Sequence, residues 1–512
     1  MTTNTIGIFI IMLLYLAAMV AIGFWFSKKN ENSGDFYLGG RKLGPFVTAM
    51  SAEASDMSSW LLMGLPGVAY LSGIADAGWT ALGLIAGTYL NWLIVAKRLR
   101  SYSEKIHAIT IPDFFSKRYR ESHPVLVAVS AIFIIIFFIP YTASGFSACG
   151  KLFSTLFGID YLPAMIISAI VIVCYTALGG FLAASTTDLI QSIVMSVALI
   201  IVIGFGLISV GGVGVVIDNV NTLPGYLTMF QTYDSSTGTG NSYGFITILS
   251  TVAWGLGYFG MPHILLRFMA IQDKNKLKLS RRIATIWVII SMSCAIFIGI
   301  IGLTMSHLDV LDTLEGSASE TVIIKIASLL STSGSGLLKV IAIVFAGIIL
   351  AGILASTMST ADSQLLAASS SISQNLMKDV LHIKVSDKVS ILAARITVLV
   401  IAIISMFIAR DPNSSVFQIV SFAWAGFGAV FGPAMLFSLF WKRANQPGIL
   451  AGMLSGGIMV FFWKYRIRPM GGAWDIYELL PAFLVACFII VFVSLITPKP
   501  SEEIVNEFKS IS

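Results

Sequence analysis

Two carboxylates, Glu53 and Asp56, stand in SAEASDMSSW (residues 51–60), inside an apolar run long enough to cross a bilayer. A third, Asp362, sits among hydroxyls in STMSTADSQLL (residues 356–366). A charge is expensive to hold in hydrocarbon, so an acid there marks a functional site by default. Such an acid can hold a cation, carry a proton, or face a cationic group on a bound solute. Ser356, Ser359, Thr360 and Ser363 follow i, i+3, i+4, i+7 and share one helical face. Hydroxyl, carbonyl and carboxylate oxygens suit a hard cation such as sodium. The serines at 369–371 read instead as hydroxyls bonding back to helical carbonyls or easing helix contacts.

Charge accounting narrows the options. The basic residues nearest these acids, Lys151, Arg267, Lys339 and Arg395, all map near the ends of apolar runs, and Asp188 lies near a cytoplasmic end. Asp56 therefore calls for a bound cation, a proton, or a cationic group on the substrate. An amino-acid-like substrate taken up with a cation satisfies it. Glu53 lies three residues from Asp56, and its role stays open between functional and structural.

These acids are embedded in a chain that is 56% hydrophobic and 11% charged, with mean hydropathy +0.88. Soluble domains carry roughly a quarter charged residues, so the class is a polytopic membrane protein. The net charge of +6 is then no nucleic-acid signal. Cys149, Cys174, Cys294 and Cys487 are far apart in apolar segments and read as buried thiols.

Runs long enough to span fall near 5–26, 44–72, 77–98, 125–155, 160–182, 187–212, 245–270, 281–306, 330–375, 389–409, 414–441, 447–465 and 477–497, thirteen in all. The 330–375 run reads as one long or broken helix, and 447–465 is barely long enough. The first lacks a basic flank and a small-residue cleavage site and reads as a true span. With the first loop cytoplasmic, 25 of the 32 Lys and Arg, Lys28, Lys29 and Lys384 among them, fall on that side. Basic residues favour the cytoplasmic face, so the N-terminus is expected outside and the C-terminus inside. The 211–244 loop, free of Lys and Arg, falls outside and reads as a covering loop.

Two runs should break. The second carries the acids followed by Gly64, Pro66 and Gly67; the seventh reads AWGLGYFGMP, with Gly255, Gly257, Gly260 and Pro262. Freed backbone groups are tolerated at membrane depth only where protein or a watery cavity satisfies them. Interrupted helices five spans apart point to an inverted-repeat transporter with its sites near the midplane.

SAEASDMSSWLLMGLPG, TALGGFLAASTTD (read as a long turn), WGLGYFGMPHILLRFMA and STMSTADSQLL together resemble the sodium:solute symporter family over nearly the whole chain. The resemblance implies an all-α, LeuT-like five-plus-five inverted repeat in one transporter domain (1–512). Its halves would be 44–212 and 245–441, with 5–26, 447–465 and 477–497 as accessory helices. It implies sodium as coupling ion, bound by backbone oxygens at Ala54, Met57 and Ser356 and the hydroxyls of Ser359 and Thr360, with Asp56 adjacent. In the proline-transporting branch it implies L-proline as substrate, held by Ser58, Tyr141, Trp254, Tyr258, Pro262 and Ser363. Asp188 matches an acid on the cytoplasmic ion path, and Arg41 a basic residue of the first cytoplasmic loop. Aromatic faces can enclose the proline ring and attract its iminium. No organic cofactor, nucleic acid or obligate protein partner is implied, and the expected location is a bacterial cytoplasmic membrane. The chain departs from the family pattern at Ser59 (Gly), Met261 (Gln), Ser363 (Cys), Ser356 (Ala), Glu53 (a small residue) and Asp362 (Ser). These changes bear on the substrate, where another small amino acid or compatible solute is the alternative. They bear also on coupling, where Glu53 and Asp362 could add a proton site.

Other classes fit poorly. Residues 145–151 give G-x-x-x-x-G-K, but Leu152 stands where a P-loop needs Ser or Thr, and the run is apolar. No H-E-x-x-H occurs, and the five His map near span ends. A channel has no need of paired breaks around one acid.

Overall fold

In hydrocarbon a backbone N–H has no partner but its own helix, and helices fill every apolar run in a computed structural model that describes residues 3–27, 33–383 and 386–511. Lys28, Lys29 and Lys384, three of the residues used to orient the chain, lie outside the described residues. Among the described residues, nine helices are long and apolar enough to cross a membrane, or ten if the pair Phe245–Gly260 and Pro262–Ala270, bent by 47°, is one span. The other three expected runs hold Pro45–Ser59 with its continuation to Ser72, Tyr161–Gly179 and Asp387–Ile408. The first of these is interrupted by the polar stretch that drew attention to it.

Gly336–Ser370 is the axis of the bundle. It packs against Pro45–Ser59, Val125–Phe157, Phe181–Val210 and Thr3–Ser27, and every residue from Ile349 to Ser370 is buried. It continues as the wider-wound Ser371–Val380, so the expected 330–375 run is one unbroken helix starting at Gly336. Peripheral helices do the opposite. Asp387–Ile408 exposes Leu392, Ile396, Leu399, Ile403 and Phe407 along one face, a stripe suited to lipid.

Two expectations need correcting, and two other readings gain detail. TALGGFLAASTTD is no long turn: Gly180, at φ +91°, is the single residue between Tyr161–Gly179 and Phe181–Val210. Asp188 consequently sits two turns inside the second of these helices, fully buried. The 211–244 loop, read as a covering loop, has structure of its own. It holds the helix Val213–Asn221 and an antiparallel hairpin, Gln231–Asp234 with Thr239–Ser242, and this ribbon is the one sheet among the described residues. Residues 145–151 lie within Val125–Phe157, which leaves no loop to cradle a phosphate.

Candidate functional site: two broken helices facing a hydroxyl face

The first break is a single residue. Ser58 takes φ 50°, ψ −170° at the end of Pro45–Ser59, and a π-wound stretch Trp60–Gly64 follows. Positive φ is uncommon for a residue with a Cβ and signals a constraint imposed by its surroundings. The Trp60 backbone N–H donates to Ser58 Oγ at 3.1 Å, which stabilises the turn. The second break is longer. Phe245–Val252 tightens into a 3-10 stretch Ala253–Gly260, Met261 is extended, and Pro262 restarts a helix to Ala270. Proline fits a first-turn position, where its missing N–H is not needed.

Carbonyls near both breaks are satisfied by side chains. Ser359 Oγ donates to Ala54 O at 2.8 Å, and Tyr141 Oη to Asp56 O at 3.0 Å. In the second break Trp424 Nε1 donates to Trp254 O at 2.7 Å and Asn91 Nδ2 to Tyr258 O at 2.9 Å. Glycines make this approach possible. A Cβ on Gly255 would stand 2.1 Å from Gly83 O, and one on Gly257 1.9 Å from the Trp424 indole nitrogen.

Two of the expected sodium ligands, Ala54 and Ser359, are in direct contact, and the rest are linked along the hydroxyl face. Ser359 Oγ lies 2.8 Å from Ala54 O and 3.2 Å from Ser356 O, and Thr360 Oγ1 lies 3.1 Å from Ser356 O. Four oxygens from the first broken helix and the hydroxyl face thus form one chain of contacts, Ser359 Oγ bridging the two elements. The Met57 carbonyl instead accepts from the Trp60 N–H. Asp56 points to the second broken helix, where Tyr258 Oη donates to its Oδ2 at 2.5 Å. Glu53 turns away from both: its Oε1 accepts from Trp92 Nε1 at 2.9 Å and Thr88 Oγ1 at 3.1 Å. That is a tie to the neighbouring Ile74–Leu90 helix and its continuation, not a contribution to the oxygen cluster.

Of the expected substrate residues, Tyr141 and Trp254 line a small cavity with Asp56, Met57, Trp60 and Trp424. Ser58 lines a second small cavity across Tyr141, with Thr142, Thr357, Thr360 and Gln364. Tyr258 reaches this region through Asp56, and Pro262 starts the half-helix below it. Ser363 does not join them. Its Oγ accepts from Arg267 Nη2 at 2.5 Å and lies 3.3 Å from Asp362 Oδ1.

Arg267 lies in the last turn of Pro262–Ala270, near a span end as expected, yet it is buried and paired rather than facing solvent. It is 1% exposed, donating to Asp188 Oδ2 (3.1 Å), Ser51 Oγ (3.1 Å) and His263 O (2.8 Å) as well as to Ser363. Ser51 Oγ also donates to Asp188 Oδ2 at 2.7 Å. Lys151 is likewise buried, its Nζ 2.7 Å from Glu320 Oε2. His263, expected near a span end, is fully buried beside Phe138 and Tyr141. The reason is geometric: a half-helix starting at Pro262 places its last turn still inside the bundle. Arg41 closes the same side, donating to Met269 O (2.6 Å), Ala108 O (2.7 Å) and Ser103 O (3.0 Å). Burial holds its guanidinium down to about 10, so it stays charged at neutral pH.

The opposite side is open. A cavity of about 1370 Å³ is lined by Asp76, the hairpin, Glu320, Phe417, Arg468 and Tyr477. Between it and the small cavity stands an aromatic layer. Trp254 packs against Trp60, Phe417 and Tyr477 at ring-centroid distances of 5.7, 5.3 and 5.2 Å. Trp424, Phe417 and Tyr477 were not singled out in the sequence. Among 34 Phe, 15 Tyr and 10 Trp, no spacing distinguishes them.

Comparisons with known proteins bear on the family and the fold. A family model described as the sodium:solute symporter family matches residues 36–456. A sodium/proline symporter of Haemophilus influenzae is 42% identical over 503 residues, 97% of this chain and 95% of the relative. The osmoregulated proline transporter OpuE of Bacillus subtilis is 40% identical over 503 residues, 97% and 96% of the two chains. The fold matches that of a substrate-bound, outward-open Na+-coupled sialic acid symporter with a TM-score of 0.78 at 17% identity, covering 97% of this chain and 99% of that one. Full-length matches at this level leave no room for a different architecture, and the chain belongs to the sodium:solute symporter family.

Proposed function

We propose that the protein imports L-proline together with sodium by alternating access. The observation that carries this reading is the oxygen cluster of Ala54, Ser356, Ser359 and Thr360, joined across the first break by Ser359. Sodium bound there, with Met57 O turned in as fifth ligand, replaces the Ser359–Ala54 hydrogen bond by ion coordination. It thereby fixes the first broken helix against the hydroxyl face. Asp56, two residues before the pivot Ser58, passes that constraint to Tyr258 and so to the second broken helix. The proline ring lies against Trp254 and Tyr141, with its iminium towards Asp56 and the pivot Ser58. Pro262 sets the angle of the half-helix beneath, and Ser363 acts through Arg267 rather than by contact. Asp188 and Arg41 belong to the cytoplasmic closure.

The same reading assigns thirteen spans, an outside N-terminus, an inside C-terminus, and halves 44–212 and 245–441. In that orientation the wide cavity faces outside and the Arg41–Arg267 network closes the inside. The test is uptake of labelled proline into proteoliposomes under an imposed sodium gradient at clamped pH, with other amino acids and betaines as competitors. Accumulation that follows sodium supports the reading. Accumulation that ignores sodium and follows an imposed proton gradient overturns the coupling, and a competitor that outperforms proline reassigns the substrate.

One observation favours a second reading of the coupling. Asp362 Oδ2 is buried with no hydrogen-bond partner, beside a pair in which Arg267 already answers Asp188. Two carboxylates to one guanidinium leave a charge that a second cation, sodium or proton, would balance. A transport stoichiometry of two cations per proline would select it.

A further inference from the structure

The loop between the last two membrane spans lines the wide cavity and reaches Trp254. Gln446–Phe462 continues through Trp463–Ile467, and the chain then turns back into the wide cavity before Leu479–Ile496 begins. There Tyr477 is 6% exposed, its ring stacked on Trp254 at 5.2 Å and 20° between planes. Its hydroxyl donates to Ser421 O at 2.6 Å, and its backbone N–H donates to Ser250 Oγ at 2.7 Å. The residue is therefore pinned to both Val416–Phe440 and Phe245–Val252. The next residue, Glu478, is fully buried and accepts from Arg468 Nη1 at 3.0 Å, with Lys464 Nζ at 3.7 Å. Arg468 also holds Asp475 at 2.8 Å. A loop needs no such anchoring merely to join two peripheral helices.

Trp254 lines both the wide cavity and the small one; it is the wall between them. Its carbonyl is held by Trp424, and its ring leans on Trp60, Phe417 and Tyr477. Trp60 lies on the first broken helix, just after its break, and Phe417 in the first turn of Val416–Phe440. Tyr477 lies on neither broken helix, and its plane is the closest to parallel with the Trp254 ring among the three.

We propose that Tyr477 is a positioning residue for Trp254, so that the loop between two helices outside the ten-helix core sets the outer wall of the substrate pocket and hence substrate affinity. This rests on the assignment of Trp254 to the substrate pocket. Stacking holds the indole over the pocket mouth; without it the indole can swing into the wide cavity and leave the substrate open to water.

The test is the sodium-driven proline uptake assay on wild type, Tyr477→Phe, Tyr477→Trp, Tyr477→Leu and Tyr477→Met, with KM and maximal rate resolved separately. Stacked aromatic pairs are worth enough for the loss of the ring to raise the proline KM about fivefold to tenfold. Leu and Met should show this rise, with the sodium half-saturation at saturating proline unchanged, whereas Phe and Trp should stay within about threefold of wild type. Two aliphatic variants guard against one failing to fold. A double-mutant cycle with Trp254→Leu should show the two effects on KM to be non-additive. Wild-type KM in the aliphatic variants, or full additivity with Trp254→Leu, overturns the proposal. Absence of proline uptake by wild type overturns the functional reading instead, so the two failures are distinct.

Discussion

The two broken helices solve one physical problem in different ways. The first breaks at one residue: Ser58 alone leaves the helical region, and the carbonyls of Ala54 and Asp56 are taken up by hydroxyls of Ser359 and Tyr141. The second loosens over eight residues, and its freed carbonyls are met by the indole of Trp424 and the amide of Asn91. Small hydroxyls beside a tight break offer oxygen donors, a chemistry that suits a hard cation. Bulky planar groups around a loose one leave a flat aromatic wall, which suits a ring. Asp56 joins them beside the breaks, its carboxylate accepting from Tyr258, and Arg267 ties the same two helices further along by donating to Ser51 Oγ.

The contrast can be broken from either end. Asp56→Asn keeps size but loses the charge that both breaks share; it should weaken sodium-dependent uptake about a hundredfold at subsaturating sodium, measured as initial rate in proteoliposomes. Normal sodium dependence in this variant would remove Asp56 from the mechanism. Ser359→Ala removes one ligand oxygen from the first break only. The sodium half-saturation should rise roughly tenfold or more, with the proline KM at saturating sodium near wild type. Trp424→Phe takes a hydrogen bond from the second break only and should give the reverse pattern, a proline KM raised about tenfold with little change for sodium. Equal shifts in both constants from either variant would mean that the two breaks are not functionally separate. Glu53→Gln should do least, because an amide oxygen can still accept from Trp92 and Thr88. Transport constants within about threefold of wild type are expected, and a lost sodium dependence would return Glu53 to the ion site.

Much of this arrangement could be read from residue order. An acid-bearing, hydroxyl-rich stretch followed by Gly-x-Pro-Gly cannot remain an ordinary lipid-facing helix, and the paired Gly and Pro of the seventh run announced the second break. The i, i+3, i+4, i+7 hydroxyls needed only helical geometry. Depth was harder to read. Arg267 and His263 lie few residues from a loop yet are buried, because the half-helix carrying them begins in mid-protein at Pro262. Asp188 was misplaced for a related reason: one glycine, Gly180, does the work assigned to a long turn. Glu53 looked equal to Asp56 in sequence, and only the direction of its side chain separates them. Trp424 and Tyr477 act through packing between elements far apart in the chain, which leaves no local trace.

Coupling between the breaks is the central claim, and binding linkage tests it most directly. Binding of radiolabelled sodium to the purified protein should be measured with and without proline, and binding of labelled proline with and without sodium. Linked sites must tighten each other by the same factor. The account predicts equal factors well above one in the wild type and a factor near one in Asp56→Asn. Sodium binding that is indifferent to proline in the wild type would contradict it.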